Sequence, residues 1–430
     1  MWQRVKLVFS NKELVNKILF TLVMLLLFRI MVVVKIPLFD RTGIEEWVLG
    51  SDFLTILNNF GGQALANGSI VALGISPYIT GSIIVQLLQM VIPQIKDWRE
   101  QGEAGKVKTS RLTRYLALIM AIGQATLLIL GTGGGGSNII VNIPPNLFPL
   151  AYIIMIATVV AGTGLSIWIA ELISKRGVGN GTSILIATGI ISSIPVMMTT
   201  LWNIFIVQGG SGLDVFFFIL VVLIYIGMLL FVTFMQLSQR KIPIQYANRQ
   251  GKSDSNIPIK LNSSGVMPII FASTLLSIPM TVVGMAAGPG AGAGQGINFW
   301  IDQIFNYVNP IGLVIYILLI IIFSFFYAFL TIEPNKMADN LSKQNAYIPG
   351  VRPGEDTKNY IARLLFKITV IGTIYLVFVA VVPIILAMIW NLPGVISIGG
   401  TSVLIVVGVA IETMQQIETE ANKSEYTGLF

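Results

Sequence analysis

Ten apolar stretches, each long enough to cross a hydrocarbon core of about 30 Å, leave this chain almost no water-soluble fold to adopt. They fall at roughly 18–36, 70–93, 112–131, 150–170, 182–202, 214–235, 264–285, 310–332, 366–389 and 395–417, with ends uncertain by about three residues. Between them, charge is scarce: 11% of residues are charged, 54% are apolar, and the mean hydropathy is +0.81. In lipid each backbone N–H and C=O needs a partner inside the protein, so the stretches read as helices. The expected fold class is an all-α polytopic membrane protein with ten transmembrane helices. An even count puts both termini on one side. Ten spans also divide into two sets of five, 1–202 and 203–430, and an odd number per half makes any internal repeat inverted in the membrane.

Charge decides the side. All but Arg29, Lys35 and Arg41 of the 27 Lys and Arg residues fall on the terminus side. By the positive-inside rule both termini are cytoplasmic. Residues 1–17 interleave Arg4, Lys6, Lys12 and Lys17 with Trp2, Val5, Val8, Phe9 and Leu14, which suits a basic amphipathic segment on the membrane surface. The apolar run after it has spanning length, so no cleavable signal peptide is expected.

The stretch Asn58–Pro93 breaks the pattern. Its first part, 58–67, is apolar and small but cut by Gly61-Gly62 and Asn67-Gly68-Ser69. A helix there is roughly 10 residues and about 15 Å, half a bilayer core, so it cannot span. Two readings stand: a re-entrant element buried inside a bundle, or an interfacial helix in an external loop. The second part, 70–93, is punctuated by Gly74 and Ser76-Pro77 yet is long enough to span.

Missing chemistry narrows the function. Cysteine and histidine are absent, which removes disulfides, zinc and haem ligation and Cys or His catalysis. No paired intramembrane Asp, HExxH or GxSxG occurs, so no enzyme and no cofactor is expected. The Gly-rich tracts Gly131–Ser137 and Gly288–Gly296 lack a following Lys-Ser/Thr and read as flexible connectors. Arg29 is the exceptional charge within a span; it snorkels or pairs inside the bundle. Gln86 and Gln124 are expected to hydrogen-bond across helices, and the bland reading is one satisfied pair. The 264–285 span carries Pro268 and Pro279 around the small residues Ala272, Ser273 and Thr274, a seam able to part. Loop 236–263 suits a short hairpin, and IPGVRPG within 333–363 is turn chemistry presenting Arg352. Both loops are basic, which either obeys the positive-inside rule or makes a docking surface for a large acidic partner.

Six segments together carry a resemblance: ALGISPYITGSIIVQLL (72–88), KRGVGNGTSI (175–184), RKIPIQYA (240–247), GVMPIIFAS (265–273), ADNLSKQNAYIPGVRPGEDT (338–357) and GGTSVLIVVGVAIE (399–412). In this order the sequence resembles the SecY family, central subunits of the bacterial protein-translocation channel, over nearly its whole length. The resemblance implies two inverted five-helix halves around a central pore with a re-entrant plug, formed here by Phe60, Gly61, Gly62, Leu65, Ala66 and Asn67. It implies a pore ring of Ile79, Ile83, Ile186, Ile190, Ile270 and Ile405. Such a collar excludes water and ions by dewetting, yet bonds to no passing chain. For one common ring, either the helices are shifted in depth or the span boundaries above are displaced. The spans of Ile79 and Ile270 resemble the two sides of a lateral gate, with Gln86, Gln124, Ser273 and Thr274 as its polar residues. Arg240, Lys241, Arg249 and Arg352 are the residues expected at partner docking.

The resemblance further implies SecE-like and SecG-like small membrane subunits, the SecA motor ATPase, the ribosome, and signal sequences and unfolded precursor chains as partners in the bilayer of a bacterial plasma membrane. The expected function is a protein-conducting channel that also releases transmembrane segments sideways into lipid. The alternative is an ion-coupled secondary transporter of a small solute, which the broken helices favour and the charge-poor spans disfavour.

Overall fold

The computed structural model describes residues 11–37, 44, 48, 54, 58, 61–133, 147–207, 212–246, 255–287, 300, 303–307, 309–390 and 399–427. Phe60, Arg249, residues 1–10 and the Gly288–Gly296 tract lie outside these, as does most of Gly131–Ser137. In chain order the elements are α1 (Lys12–Val33), α2 (Ser76–Val91), α3 (Pro93–Glu100), α4 (Glu103–Gly133), α5 (Phe148–Arg176), α6 (Gly181–Trp202), α7 (Gly212–Leu237), β1 (Gln239–Tyr246), β2 (Ser255–Lys260), α8 (Met267–Ala287), α9 (Pro310–Thr331), α10 (Pro334–Lys343), β3 (Ala346–Tyr347), α11 (Glu355–Ile389) and α12 (Gly399–Thr427). Among the described residues, eight helices are long and apolar enough to cross a membrane. These are α1, α4, α5, α6, α7, α9, α11 and α12. The shorter α2, with 16 residues, and α8, with 21, fill the other two places of the expected ten.

Local chemistry sets the helix starts. Asn11 caps α1, its Oδ1 accepting the N–H of Glu13 at 3.1 Å and of Leu14 at 3.4 Å. Asn180 does the same for α6. Proline stands in the first turn of α2, α3, α5, α9 and α10, where its missing N–H is no loss. The bundle wears its hydrophobicity outside as well as inside. On α1, Leu14, Thr21, Phe28 and Val32 face inward while Leu19, Leu22, Leu26 and Ile30 are exposed, as lipid solvent requires. One core gathers Phe28, Val71, Ile173 and Leu185; a second gathers Phe271, Tyr316, Leu376 and Leu404. Between the two groups of helices, α6 packs on α12, α4 on α8, and α1 on α12.

One expected boundary is corrected. The second span does not begin at residue 70. Residues 61–75 form successive turns, with φ positive at Gly62, Gln63, Gly68 and Gly74, and the helix starts at Ser76. Between the second and third spans the chain is helical as well, in α3 and the first turns of α4. The expected hairpin is present, β1 pairing antiparallel with β2 from Gln239↔Lys260 to Ile244↔Ser255. It is also joined by β3, whose Tyr347 and Ala346 pair with Gln245 and Tyr246. Loops 236–263 and 333–363 are therefore one unit, sheet order β2-β1-β3, over a shared core of Ile242, Ile244, Ile259, Leu341, Ile348 and Ile361.

Candidate functional site

Four helices bring branched aliphatics to one place. Ile186 and Ile190 of α6 and Ile405 of α12 are buried together, and Ile79 of α2 and Ile270 of α8 pack against them, with Val266, Val406 and Val409. Ile186 and Ile190 are four apart and share a helix face. Each of these isoleucines lies within the first three turns of its helix. The span limits read from hydropathy place these residues at unequal depths; the structure nonetheless brings them into one cluster. Ile83 is buried one turn from Ile79 but in the neighbouring cluster, with Phe271, Ala272 and Phe323. Ile79 touches both clusters and joins them.

The segment before α2 packs against α6 beside this group. Of the two readings of 58–67, the structure has the buried one. Ala64 and Leu65 are buried, and the interior holds Asn58, whose Oδ1 accepts the Ala66 N–H at 2.9 Å and whose carbonyl accepts the Gln63 N–H at 2.8 Å. The segment is tied back to the end of α1. Ile36 N–H donates to the Gly68 carbonyl at 2.7 Å, Ile70 N–H to the Val34 carbonyl at 2.9 Å, and the Ser69 hydroxyl to the Met31 carbonyl at 2.8 Å. Glycine makes the approach possible. A Cβ on Gly62 would lie 2.9 Å from the Gly189 Cα, the residue before Ile190, and a Cβ on Gly162 of α5 would lie 2.0 Å from the Ile70 carbonyl oxygen. Arg29 completes the contact, donating to the Gly62 carbonyl at 3.4 Å and to the Thr188 carbonyl. It therefore pairs inside the bundle, with backbone.

The seam between α2 and α8/α9 is held differently from the expectation. Gln86 does bond across helices, but to Tyr327 of α9, whose hydroxyl donates to Gln86 Oε1 at 2.6 Å. Gln86 Nε2 turns back to Ser82 at 3.2 Å. Gln124 Oε1 is buried with no hydrogen-bond partner, so the two glutamines are not a pair. Ser273 and Thr274 both donate to the Ile270 carbonyl within their own helix, at 2.9 and 2.7 Å. Serine and threonine in a helix satisfy a carbonyl of their own helix in this way. Elsewhere, Gln236 of α7 donates to the Leu404 carbonyl beside Ile405 at 3.3 Å. Arg114 of α4 pairs with Glu171 of α5, its Nε 2.8 Å from Oε1. Tyr327 and Gln236 carry no sequence motif, but they are polar side chains in or at the end of apolar spans and were findable as such.

Arg240 and Lys241 are exposed on β1 while Ile242 and Ile244 point into the core beneath. Arg352 is exposed in the turn after β3, its carbonyl accepting the Thr357 hydroxyl at 2.8 Å. Pairing of β1 with β3 brings these cations onto one unit. Among the described residues no group of three His, Cys, Asp or Glu side chains is placed to hold a metal ion. What the isoleucine cluster can do is physical: close a passage and keep it dry.

The model of the SecY family matches residues 69–414. This chain belongs to the SecY family. It is 39% identical to the protein translocase subunit SecY of Halalkalibacterium halodurans over 100% of this chain and 99% of the relative. It is 40% identical to the SecY subunit of Staphylococcus carnosus over 98% and 97%. The SecY fold is also that of a solved protein-conducting channel, at TM-score 0.63 and 21% identity over 94% of this chain and 92% of the other. The canine Sec61 channel in its ribosome complex from the endoplasmic reticulum gives TM-score 0.60 at 21% identity over 94% and 92%. As a SecY-family member the chain is a multi-pass membrane protein.

Proposed function

We propose that this chain is the pore subunit of a bacterial protein translocation channel, passing unfolded secretory chains across the plasma membrane and releasing transmembrane segments into lipid. The observation that carries the reading is the cluster of Ile79, Ile186, Ile190, Ile270 and Ile405 from four helices, with a buried segment packed against α6 beside it. In this reading those five residues and Ile83 are the pore ring. Phe60, Gly61, Gly62, Leu65, Ala66 and Asn67 are the plug, and the halves 1–202 and 203–430 part along α2 and α8. Gln86, Gln124, Ser273 and Thr274 line that lateral gate. A collar of isoleucine suits a channel for chains of every sequence, because it seals by excluding water and recognises nothing.

In this reading a partner drives the motion: the SecA motor, or the ribosome, with which the solved canine Sec61 channel is found in complex. The joined sheet with Arg240, Lys241 and Arg352, together with Arg249, is the docking surface, and small SecE-like and SecG-like subunits complete the complex. The positive-inside bias supports cytoplasmic termini.

The chain contains no cysteine, which makes the test direct. Cysteines are introduced singly at Ile190 and, as a lipid-facing control, at Leu26. SecA, ATP and a precursor carrying one cysteine and jammed midway are added. Disulfides are expected at Ile190 only, and only with ATP and a signal sequence. A jammed precursor that links to neither position, or equally to both, refutes the path.

A further inference from the structure

Arg29 is the charge that the translocation reading leaves without a task. It sits in a stretch of α1, 18–33, whose one other polar side chain is Thr21. A cation at such depth is costly unless it is satisfied, and such residues mark functional positions. Here the guanidinium is half-buried and its two terminal nitrogens point to different bodies. Nη1 donates to the carbonyl of Gly62 in the turn segment, at 3.4 Å, and Nη2 donates to the carbonyl of Thr188 in α6. Gly62 has φ +65°, and a Cβ there would lie 2.8 Å from Nη1, 2.9 Å from the Gly189 Cα and 3.0 Å from the Ser192 hydroxyl. Helix α1, the segment and α6 therefore meet at one point, and the point is a cation shared between two backbone carbonyls.

We propose that Arg29 is a latch whose hold on the segment depends on dryness. The base of the segment is fixed to α1 by the Lys35–Ser69 bridge, so its tip at 61–67 swings away from α6 only by giving up the Arg29–Gly62 bond. While the isoleucine cluster is dry, no water replaces that carbonyl, and the bond holds. Once a chain or water fills the passage, water solvates the guanidinium and the tip is free. The arginine is a positioning residue that couples release of the tip to wetting. The proposal rests on the reading that residues 61–67 close the passage.

The test uses the complete channel complex in vesicles, with a single cysteine replacing Gln63. Two readouts are taken: resting ion leak, and labelling of that cysteine by a membrane-impermeant thiol reagent. Arg29→Met is expected to raise both by about tenfold, the effect of one lost charged hydrogen bond. Arg29→Lys is expected to lie between, since an ammonium keeps the charge but not the fork. Gly62→Ala, with Arg29 intact, is expected to leak as well. The double variant is expected to do no more than the stronger single one, because both break one contact. If Arg29→Met fails to assemble, Gly62→Ala carries the same expectation. Parental leak and labelling in an assembled variant, or additive effects in the double, overturn the latch. Deletion of residues 61–66 separates the two ideas. A leaking deletion beside a tight Arg29→Met refutes the latch alone, whereas a tight deletion refutes the closing role of the segment.

Discussion

Replacing Ile186, Ile190 and Ile405 together with asparagine tests whether the isoleucine cluster is the seal. The three side chains are 8%, 2% and 3% exposed. Burial of each stabilises the packed collar by about 1.5–3 kcal/mol, about 5–9 kcal/mol for three. Asparagine removes that term and adds an amide that costs about 1–3 kcal/mol when dry and unpaired. Because the three touch, their effects are not fully additive. Even a balance shifted by about 5 kcal/mol toward the wet state changes the equilibrium by more than three decades. Vesicles holding the reconstituted complex are loaded with a potassium-sensitive dye, and resting leak is read without precursor. The triple variant is expected to leak at least about a hundredfold faster than the parent. Ile191→Ser, on the same helix but 51% exposed, is expected to leave leak unchanged. The reasoning fails if the triple variant, inserted and still exporting a precursor with a strong signal sequence, stays as tight as the parent.

Three further outcomes are expected. Tyr327→Phe removes the 2.6 Å bond to Gln86 and should ease parting of α2 from α9 by about 0.6–1.5 kcal/mol, read as export of a precursor with a weakened signal sequence; unaltered selectivity argues against a gate there. Glu171→Gln breaks the ion pair with Arg114, and with side-chain exposures of 19% and 42% the loss should be near 1 kcal/mol, seen as a modestly lower unfolding midpoint of the detergent-solubilised complex. Arg240→Glu with Arg352→Glu should weaken ribosome binding by about tenfold, more at low salt than at high; equal binding at both salts removes the docking assignment.

Much of the fold is written in one-dimensional patterns. The spans, their number and the β1–β2 hairpin follow from hydropathy and from Ile/Pro/Ile alternation, because lipid penalises every exception. The resemblance supplied the isoleucines, and five of the six do meet. What stayed hidden depends on partners distant in the chain. Arg29 was visible as an intramembrane charge, but backbone carbonyls of Gly62 and Thr188 leave no mark in a sequence. Gln86 was visible as a polar group in a span, yet Tyr327 lies 241 positions away and nothing local couples them. The start of α2 at Ser76 rather than residue 70 came from Gly74 at φ +53°, a turn that hydropathy counts as just another apolar residue. Likewise β3 is two residues long, too short for any period to register.

That short strand has a mechanical meaning. By stitching 346–347 to β1, it turns two separate loops into a single handle. The handle packs on α11, where Gly372 leaves room for the Leu261 carbonyl, while Leu261 N–H donates to the Ser238 carbonyl at 2.9 Å. From Leu261 a single turn through Gly265 leads straight into α8 and to Ile270. A body that grips the sheet thus pulls on α7, which ends one residue before β1, and on α8, which begins six residues after β2. In the proposed reading, force applied to the sheet therefore reaches a helix of the lateral gate.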